Sequence, residues 1–187
     1  HGTLARGYVA YEETEKILFS AVAFGSFGAL NGNIFNDELD FDKDWLDDAR
    51  RYYVNIVGKY GPQVQMALMK LSGLDIVVIC PLPVPGWRHD LGYLLEKYDI
   101  WSKYEPEEKS VAILYASMYG DTENAANVLA AKLAAAGVKT IAMHDVSSTN
   151  VSELIGEVFR CSPLVLPAPP YHHGISPPIR TSLTALT

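Results

Sequence analysis

The chain has 187 residues, 49% of them apolar, and a formal net charge of −7 at pH 7. Its length fits one large domain or two small ones, and its apolar content is enough for a hydrophobic core. The acidic balance and the scattered Lys and Arg residues argue against a nucleic-acid or membrane surface. No apolar stretch is long enough to span a bilayer, and no signal peptide is visible.

The first half of the chain predicts a mixture of strands and helices. The expected strands are residues 7–11, 16–22 and 74–80, and the expected helices run from Asp42 or Asp44 to about Lys59, from 63 to 71, and from 91 to 103. Six aromatic residues in this half are expected in the core or an interface, because helical spacing of apolar side chains favours burial. They are Trp45, Tyr52, Tyr53, Trp87, Tyr98 and Trp101.

An acidic, proline-containing linker divides the chain into residues 1–104 and residues 105–187. After the linker, strands at 111–116, 138–143 and 163–167 alternate with helices at 123–136 and 151–160. This alternation is typical of a parallel sheet with right-handed crossovers. Ligands of such sheets bind outside the carboxyl ends of the strands, where the loops 117–122 and 168–174 are expected.

Two cysteines, Cys80 and Cys161, each lie at the end of an apolar run, and the sequence contains no Cys-x-x-Cys pair. Isolated, buried thiols are typical of a reducing compartment rather than of a disulfide framework. We therefore expect a cytoplasmic protein without a thiolate metal site.

The first of the two loops has the composition of a phosphate-binding site. It consists of Ser117, Met118, Tyr119, Gly120, Asp121 and Thr122, between an apolar strand and a helix. Loop amides, hydroxyl groups and the partial positive charge of a helix N-terminus bind phosphate together. The loop matches neither G-x-G-x-x-G nor the G-K-[ST] ending of a triphosphate loop. It is similar to the S/T-x-Y-G-x-T-E loop that holds the phosphate of flavin mononucleotide (FMN) in flavodoxins. The alternative is an ordinary turn in which Thr122 caps the helix.

The second loop has residues suited to a flavin ring. Its candidate cofactor-binding residues are Pro169, Pro170, Tyr171, His172, His173 and Gly174. A tyrosine at a strand end beside a glycine suits stacking on an isoalloxazine ring. Metal binding by the two histidines is less favoured, because adjacent histidines rarely point the same way and no Cys, Asp or Glu flanks them. A plain surface loop remains an alternative.

Further segments extend the similarity to nearly the whole chain. These are residues 16–20, 23–25, 49–53, 79–82, 87–88 and 90–93. Together with the linker, they resemble the flavodiiron proteins (A-type flavoproteins). The resemblance implies an α/β fold. The end of a metallo-β-lactamase-like αββα domain, residues 1–104, precedes a partial flavodoxin-like doubly wound parallel sheet, residues 105–187.

The resemblance also implies a function. The family carries FMN in its second domain and a pair of non-haem irons in its first, and reduces oxygen or nitric oxide. Its subunits pair head to tail, so we expect a homodimer or hetero-oligomer and an electron-donor protein or reductase as partners. Whether the chain is an enzyme is left open, and no catalytic residue is assigned. The alternative is a non-catalytic, metal-free structural subunit or fragment. The matches at 50–53 and 91–93 disfavour a third reading, a flavodoxin-like carrier with an unrelated first domain.

Two positions depart from the iron-ligand pattern of the family. Val22 stands where the family has a bridging Asp, and Pro83 stands where it has a His. Neither side chain has a donor atom, and a di-iron site needs carboxylate and imidazole ligands. We therefore expect no metal ligand here and doubt the di-iron centre. His89 could replace the lost ligand only if the turn before it were rebuilt.

We expect FMN to bind, but weakly. A flavodoxin-like sheet has five strands and this sequence supplies three, while Pro170 removes one backbone donor from the second loop. The chain begins at His1 rather than Met, and reaches Thr187 just as a helix begins after Pro177 and Pro178. We therefore expect that both ends are cut.

Overall fold

The computed structural model of the chain describes residues 9–82 and 85–186, which form two compact units that divide between Glu105 and Pro106. Both units combine helices with a sheet that contains parallel strands, so the expected α/β class is confirmed. The assignment of residues 1–104 and 105–187 as domains stays a prediction. In the part of the chain that the structure describes, no helix is long and apolar enough to cross a membrane.

The first unit contains a mixed sheet in the order β1–β2–β3. Strand β1 (Ala10–Glu12) is antiparallel to β2 (Ile17–Ala21), which is parallel to β3 (Val78–Pro81). The first expected strand began at residue 7, and residues 7 and 8 lie outside the described residues. The third strand, expected from residue 74, begins four residues later, at Val78. The backbone N–H of Leu74 instead donates to the carbonyl of Leu71, which continues the preceding helical turn.

The helix expected between residues 42 and 59 is divided into several pieces. They are α1 (Phe41–Asp44), α2 (Leu46–Tyr52), a π-helical turn (Tyr53–Val57) and a 3-10 turn (Gly58–Tyr60). Helix α3 (Gly61–Leu71) follows directly, with a proline in its first turn, where the missing N–H costs nothing. Helix α4 (Leu91–Ser102) completes the unit.

The core of the first unit is aromatic. The ring of Tyr98 lies 4.5 Å from that of Phe24, 5.0 Å from that of Tyr53 and 5.4 Å from that of Trp101, between centroids. All six aromatic residues expected in a core are buried. Burial raises the pKa of both Tyr53 and Tyr98, so these phenols stay neutral over the ordinary pH range.

The second unit has a parallel sheet in the order β5–β4–β6. Its strands are β4 (Ser110–Tyr115), β5 (Thr140–Asp145) and β6 (Leu164–Val165), connected by α5 (Asp121–Ala135) and α6 (Val151–Arg160). This is the order of the first three strands of a flavodoxin-like sheet, in which the ligand lies at the switch point between the central strand and the third. The central strand is buried, as expected for a parallel sheet covered on both faces.

The chain after β6 is more ordered than the sequence indicates. The loop expected at 168–174 contains a short hairpin of β7 (Pro170–Tyr171) and β8 (Gly174–Ile175), followed by α7 (Pro177–Ala185). Helices α6 and α7 pack on one apolar cluster, through Leu154 and Ile179, together with Leu114 of the central strand.

Both cysteines are free thiols. Cys161 is buried, as expected, but Cys80 is only half-buried, which corrects the expectation of two buried thiols. The side chain of Cys80 lies on the partly exposed face of the three-stranded sheet, opposite Phe19 in the register, which is 48% exposed.

Candidate functional site

The loop after β4 is short and internally bonded. The hydroxyl oxygen of Ser117 accepts a hydrogen bond from the backbone N–H of Gly120 at 3.0 Å. Gly120 has a φ of +91°, which L-residues rarely adopt, while a Cβ built on it would have no atom within 4 Å. Glycine is therefore required here by backbone conformation, and open space lies above it.

Helix α5 begins at Asp121, and Gly120 is its N-cap. The alternative that Thr122 caps this helix is wrong, because Thr122 already lies in its first turn. The glycine has no side chain with which to cap the helix, and the structure has no side-chain hydrogen bond at this cap. The first-turn amides therefore keep the donors that an anion at a helix N-terminus uses.

The remaining residues of this loop differ in their exposure. Met118 is 56% exposed and Tyr119 is 88% exposed, so both form the outer rim of the loop. Ser117 and Thr122 are half-buried. Of the six residues predicted from the first loop, Ser117 to Gly120 lie between β4 and α5, and Asp121 and Thr122 are the first two residues of α5.

The second loop forms a two-residue hairpin turn. His172 and His173 have φ values of +45° and +61°. A left-handed φ at both central residues is what a type I′ hairpin turn requires, and Asn-Gly is the usual pair there. The rings of Tyr171 and His172 meet edge to face at 4.6 Å, and Tyr171 is 41% exposed. The stacking of Tyr171 on a planar ligand stays a prediction.

Gly174 follows the two histidines and lies close to α7. A Cβ built on Gly174 would be 3.4 Å from Nη2 of Arg180 and 3.5 Å from the carbonyl oxygen of Tyr171. The guanidinium group therefore lies against the hairpin. Sequence reasoning missed Arg180, although its position four residues after the N-cap of α7 places it in the first turns of that helix.

The two loops leave the sheet side by side. The backbone N–H of Ala116, just after β4, donates to the carbonyl oxygen of Pro167, just after β6, at 3.1 Å. Ala116 and Ala168 pack in the same apolar cluster. The residues predicted from the two loops are therefore brought to one edge of the sheet, at the carboxyl ends of neighbouring parallel strands.

The position of Val22 lies in the first unit, in the turn after β2. The side chain of Val22 is 36% exposed, and its carbonyl oxygen accepts a hydrogen bond from the hydroxyl group of Tyr52 at 3.0 Å. Left-handed φ values occur on both sides, +52° at Ala21 and +64° at Phe24. The turn is therefore strained for L-residues, which the sequence does not indicate.

The other departure from the ligand pattern, Pro83, lies outside the described residues. His89 follows it, and its backbone is held on both sides by the side chain of Asn36. Within residues 9–82 and 85–186, no group of three or more His, Cys, Asp or Glu side chains is arranged to hold a metal ion.

His89 instead lines a groove of about 470 Å³ in the first unit. We call it the acidic groove, because four carboxylates line it together with three aromatic side chains. The carboxylates are Asp37, Asp40, Asp42 and Asp90, and the aromatic side chains are Phe41, Trp87 and Tyr93. Several of these acids have internal partners. Asp37 pairs with Arg88 at 2.9 Å, and Asp42 accepts from the hydroxyl group of Tyr93. The acidic residues between 37 and 44 are the feature of the sequence that could have indicated this groove, which was not predicted.

Comparison with known proteins agrees with this geometry. The sequence profile of the family described as Flavodoxin matches residues 113–172, from β4 to the hairpin turn. An anaerobic nitric oxide reductase flavorubredoxin of Aeromonas hydrophila is 25% identical over 183 residues, covering 96% of this chain and 36% of that protein.

Two solved structures share the fold of nearly the whole chain. The flavodiiron protein from Giardia intestinalis has a TM-score of 0.88 and 26% identity, over 95% of this chain and 43% of that one. The rubredoxin oxygen:oxidoreductase from Desulfovibrio gigas has a TM-score of 0.86 and 27% identity, over 95% of this chain and 44% of that one. The chain thus spans less than half the length of each of these three proteins.

Proposed function

Because the chain belongs to the flavodiiron protein family, we propose that it is an FMN-dependent electron-transfer oxidoreductase whose second unit holds the flavin. The observation that carries the proposal is the loop between β4 and α5. It combines a left-handed glycine, a hydroxyl group and a helix N-terminus without a side-chain cap. Domain boundaries at 1–104 and 105–187 belong to the same proposal, as does a cytoplasmic location, which the two free thiols support.

The residues of this loop fit a phosphate group. Since a Cβ on Gly120 would have no neighbour within 4 Å, an anion has room to approach the backbone there. The helix N-terminus supplies amide donors and partial positive charge, and Ser117 and Thr122 supply hydroxyl groups. The first turn of α5 carries Asp121 and Glu123 and no basic side chain, so neutral donors and the helix would hold the phosphate.

The neighbouring hairpin would hold the ring. FMN, when bound, supplies an isoalloxazine ring that accepts electrons and passes them on. Tyr171 offers an exposed aromatic face, and the hairpin backbone from Pro169 to Gly174 offers carbonyl and amide groups to the ring edge. Pro170 lacks a donor, and the sheet contributes three strands among the described residues, so we propose that binding to this chain is weak.

Fluorescence titration of the chain with FMN and with riboflavin, which lacks the phosphate, tests this proposal. Binding of FMN at least roughly tenfold tighter than that of riboflavin is expected, since only FMN can use the helix N-terminus. The control is Ser147→Ala, a hydroxyl group in the turn after β5, which should leave both affinities unchanged. Equal affinity for the two flavins, or no binding of either, would refute the phosphate site.

We further propose that the first unit holds no normal di-iron centre. The support is the chemistry of the side chains: valine and proline, at positions 22 and 83, cannot ligate iron. His89 is a poor substitute, because Asn36 bonds both its N–H and its carbonyl group, at 3.3 Å and 2.8 Å, and so fixes the turn.

Metal analysis after incubation with ferrous iron and desalting tests the di-iron proposal. The wild-type chain should retain little iron, and the double variant Val22→Asp with Pro83→His should retain more, in a protein of the relatives' full length. Val22→Ala with Pro83→Ala is the matched control. An iron pair in the wild-type chain, or no gain in the double variant, would contradict the ligand assignment.

The proposal also includes an electron donor and a final electron acceptor, which are suggested by the names of two relatives. The names of two relatives state nitric oxide reduction and a rubredoxin oxygen:oxidoreductase activity. We propose a small electron-transfer protein or reductase as donor, and oxygen or nitric oxide as the final acceptor where an iron site is supplied. A head-to-tail pair of subunits, or a hetero-oligomer with a metal-competent relative, would bring such a site to the flavin.

A further inference from the structure

The end of the chain is cationic although the protein is acidic. Residues 158–187 contain no Asp or Glu, whereas the whole chain has 22 acidic and 15 basic residues. Four residues in this segment can carry positive charge: Arg160, His172, His173 and Arg180. Three of them lie at the hairpin or on the helix that follows it.

The two arginines of the segment differ in their partners. Arg160 is neutralised, since its guanidinium group pairs with Glu108 at 2.7 Å and with Glu157 at 2.6 Å. Arg180 forms no ion pair with any carboxylate among residues 9–82 and 85–186. Its Nη2 atom instead lies against Gly174, where a Cβ would approach it to 3.4 Å. The positive charge of Arg180 is thus held beside the hairpin without compensation.

The two histidines are not explained by the turn that they form. Both have left-handed φ values, +45° and +61°, which asparagine and glycine adopt with less strain. Imidazole is the side chain that changes charge between pH 5 and 8. A hairpin that accepts strain to present two imidazoles therefore points to a role for their charge.

We propose that His172, His173 and Arg180 form a cationic rim that stabilises the reduced flavin ring over the oxidised ring. This inference rests on the proposed function. Reduction of the ring by two electrons from the donor protein, with uptake of one proton from solvent, leaves the ring with one additional negative charge. A fixed guanidinium group and two protonated imidazoles at the ring-binding loop favour that charge.

The preference for the reduced ring should depend on pH, according to which of the neighbouring groups change charge. The other charged or titratable groups of the two candidate loops and the helices that follow them are Arg180 of α7, Tyr119 of the loop after β4, and Asp121 and Glu123 of the first turn of α5. Imidazole is the side chain whose charge ordinarily changes in this pH range, so an effect carried by imidazoles is expected at pH 6 and is expected to be lost at pH 8.5.

The test is an anaerobic titration of the chain with oxidised FMN and with dithionite-reduced FMN, at pH 6 and pH 8.5. The variant His172→Asn with His173→Gly installs the favoured turn pair, so the hairpin is kept while both imidazoles are removed. The measured ratio is the Kd of oxidised FMN divided by the Kd of reduced FMN, so a high ratio means a preference for the reduced ring. At pH 6 this ratio should be about tenfold lower in the variant than in the wild type, and at pH 8.5 the two ratios should be equal. Arg180→Gln should lower the ratio at both pH values.

His89→Asn, in the acidic groove of the first unit, is the matched control and should leave the ratio unchanged. FMN binding with the same ratio in wild type and in the double-histidine variant at pH 6 would overturn this inference and leave the proposed function standing. Failure of wild-type chain to bind FMN in either redox state would overturn both. A loss of preference that is equal at both pH values would also contradict the role of the imidazoles.

Discussion

The hydrogen bond from the N–H of Ala116 to the carbonyl of Pro167, 3.1 Å long, extends the pairing of β4 and β6 beyond the ends of both strands. Strand β6 itself has only two paired residues. This added bond therefore fixes the separation of the two candidate loops at the point where they leave the sheet. The geometry of the site depends on backbone pairing, which tolerates changes in the side chains above it.

Gly120→Ala should destabilise the protein by about 1 kcal/mol and weaken FMN binding by roughly tenfold. The φ of +91° disfavours any residue with a Cβ, although the Cβ itself would meet nothing. A shift of this backbone moves both the amide bonded to Ser117 and the first turn of α5. Urea unfolding and flavin fluorescence measure the two effects.

Gly137→Ala is the matched control for that variant. Gly137 has a φ of +94° and equally open space at its Cβ, but it lies at the far end of α5. The cost in stability should be similar, while FMN affinity should stay at the wild-type value. A comparable loss of affinity in both variants would mean that stability alone controls binding.

Asn36→Ala should lower the free energy of unfolding by about 2–3 kcal/mol. The side chain is 8% exposed, donates to the carbonyl of His89 at 2.8 Å, and accepts from the N–H groups of Arg88 and His89. Its removal leaves these backbone groups without partners. Asn33→Ala removes a single exposed bond to the carbonyl of Glu38 and should cost less than about 0.5 kcal/mol. Similar losses would contradict the role of Asn36.

The stabilising contribution of Asp99 should depend on pH. Lys103 and then Gln65 hold the pKa of this carboxyl group below its ordinary value. A lowered folded-state pKa adds stability above the unfolded pKa, and that stability is lost as pH falls through the folded value. Asp99→Asn should therefore lower Tm at pH 7, and only by about 1–2 °C because the pair with Lys103 is exposed. Near pH 2 the substitution should leave Tm unchanged. A deficit that persisted at pH 2 would indicate lost packing instead.

The two thiols should react at different rates. Burial raises the pKa of both Cys80 and Cys161, but Cys161 is 5% exposed whereas Cys80 is half-buried. A thiol-specific dye at pH 8 should label Cys80 at least roughly tenfold faster, and Cys161 only as the second unit opens. The variant Cys80→Ser should retain the slow phase alone. A single fast phase for both thiols would show that Cys161 is accessible in the folded state.

The bounds of the regular elements were predicted well where the capping residue and the apolar periodicity of the sequence indicate the same start. Helix α6 has the predicted bounds, since Asn150 accepts from the N–H of Ser152 and marks its start. Helix α5 begins two residues earlier than predicted, because the left-handed Gly120 turns the chain directly into it. The hairpin at 170–175 was not predicted, since its central pair is His-His and not the Asn-Gly that indicates such a turn.

The placement of the candidate site was also predictable, but its strain was not. Alternation of strands and helices brings the loops after β4 and β6 to one edge, whatever their residues. The backbone is left-handed at Ala21, Phe24, His172 and His173. The side chains of Ala21 and Phe24 give no local indication of this conformation, and histidine gives only a weak one. The neighbourhood of Arg180 likewise follows from the packing of α7 on the cluster around Leu114.

The π-helical turn at Tyr53–Val57 affects how the chain should be compared with its relatives. Such a turn is an α-helix that has gained one residue, so the pattern of inward-facing positions shifts by one after it. An ungapped alignment across residues 53–57 with a relative that has regular α-helix there would match positions that differ by about 100° around the helix axis after this turn. Loss of a single residue in this turn would remove the mismatch without breaking the helix, which makes the segment a natural place for length variation between family members.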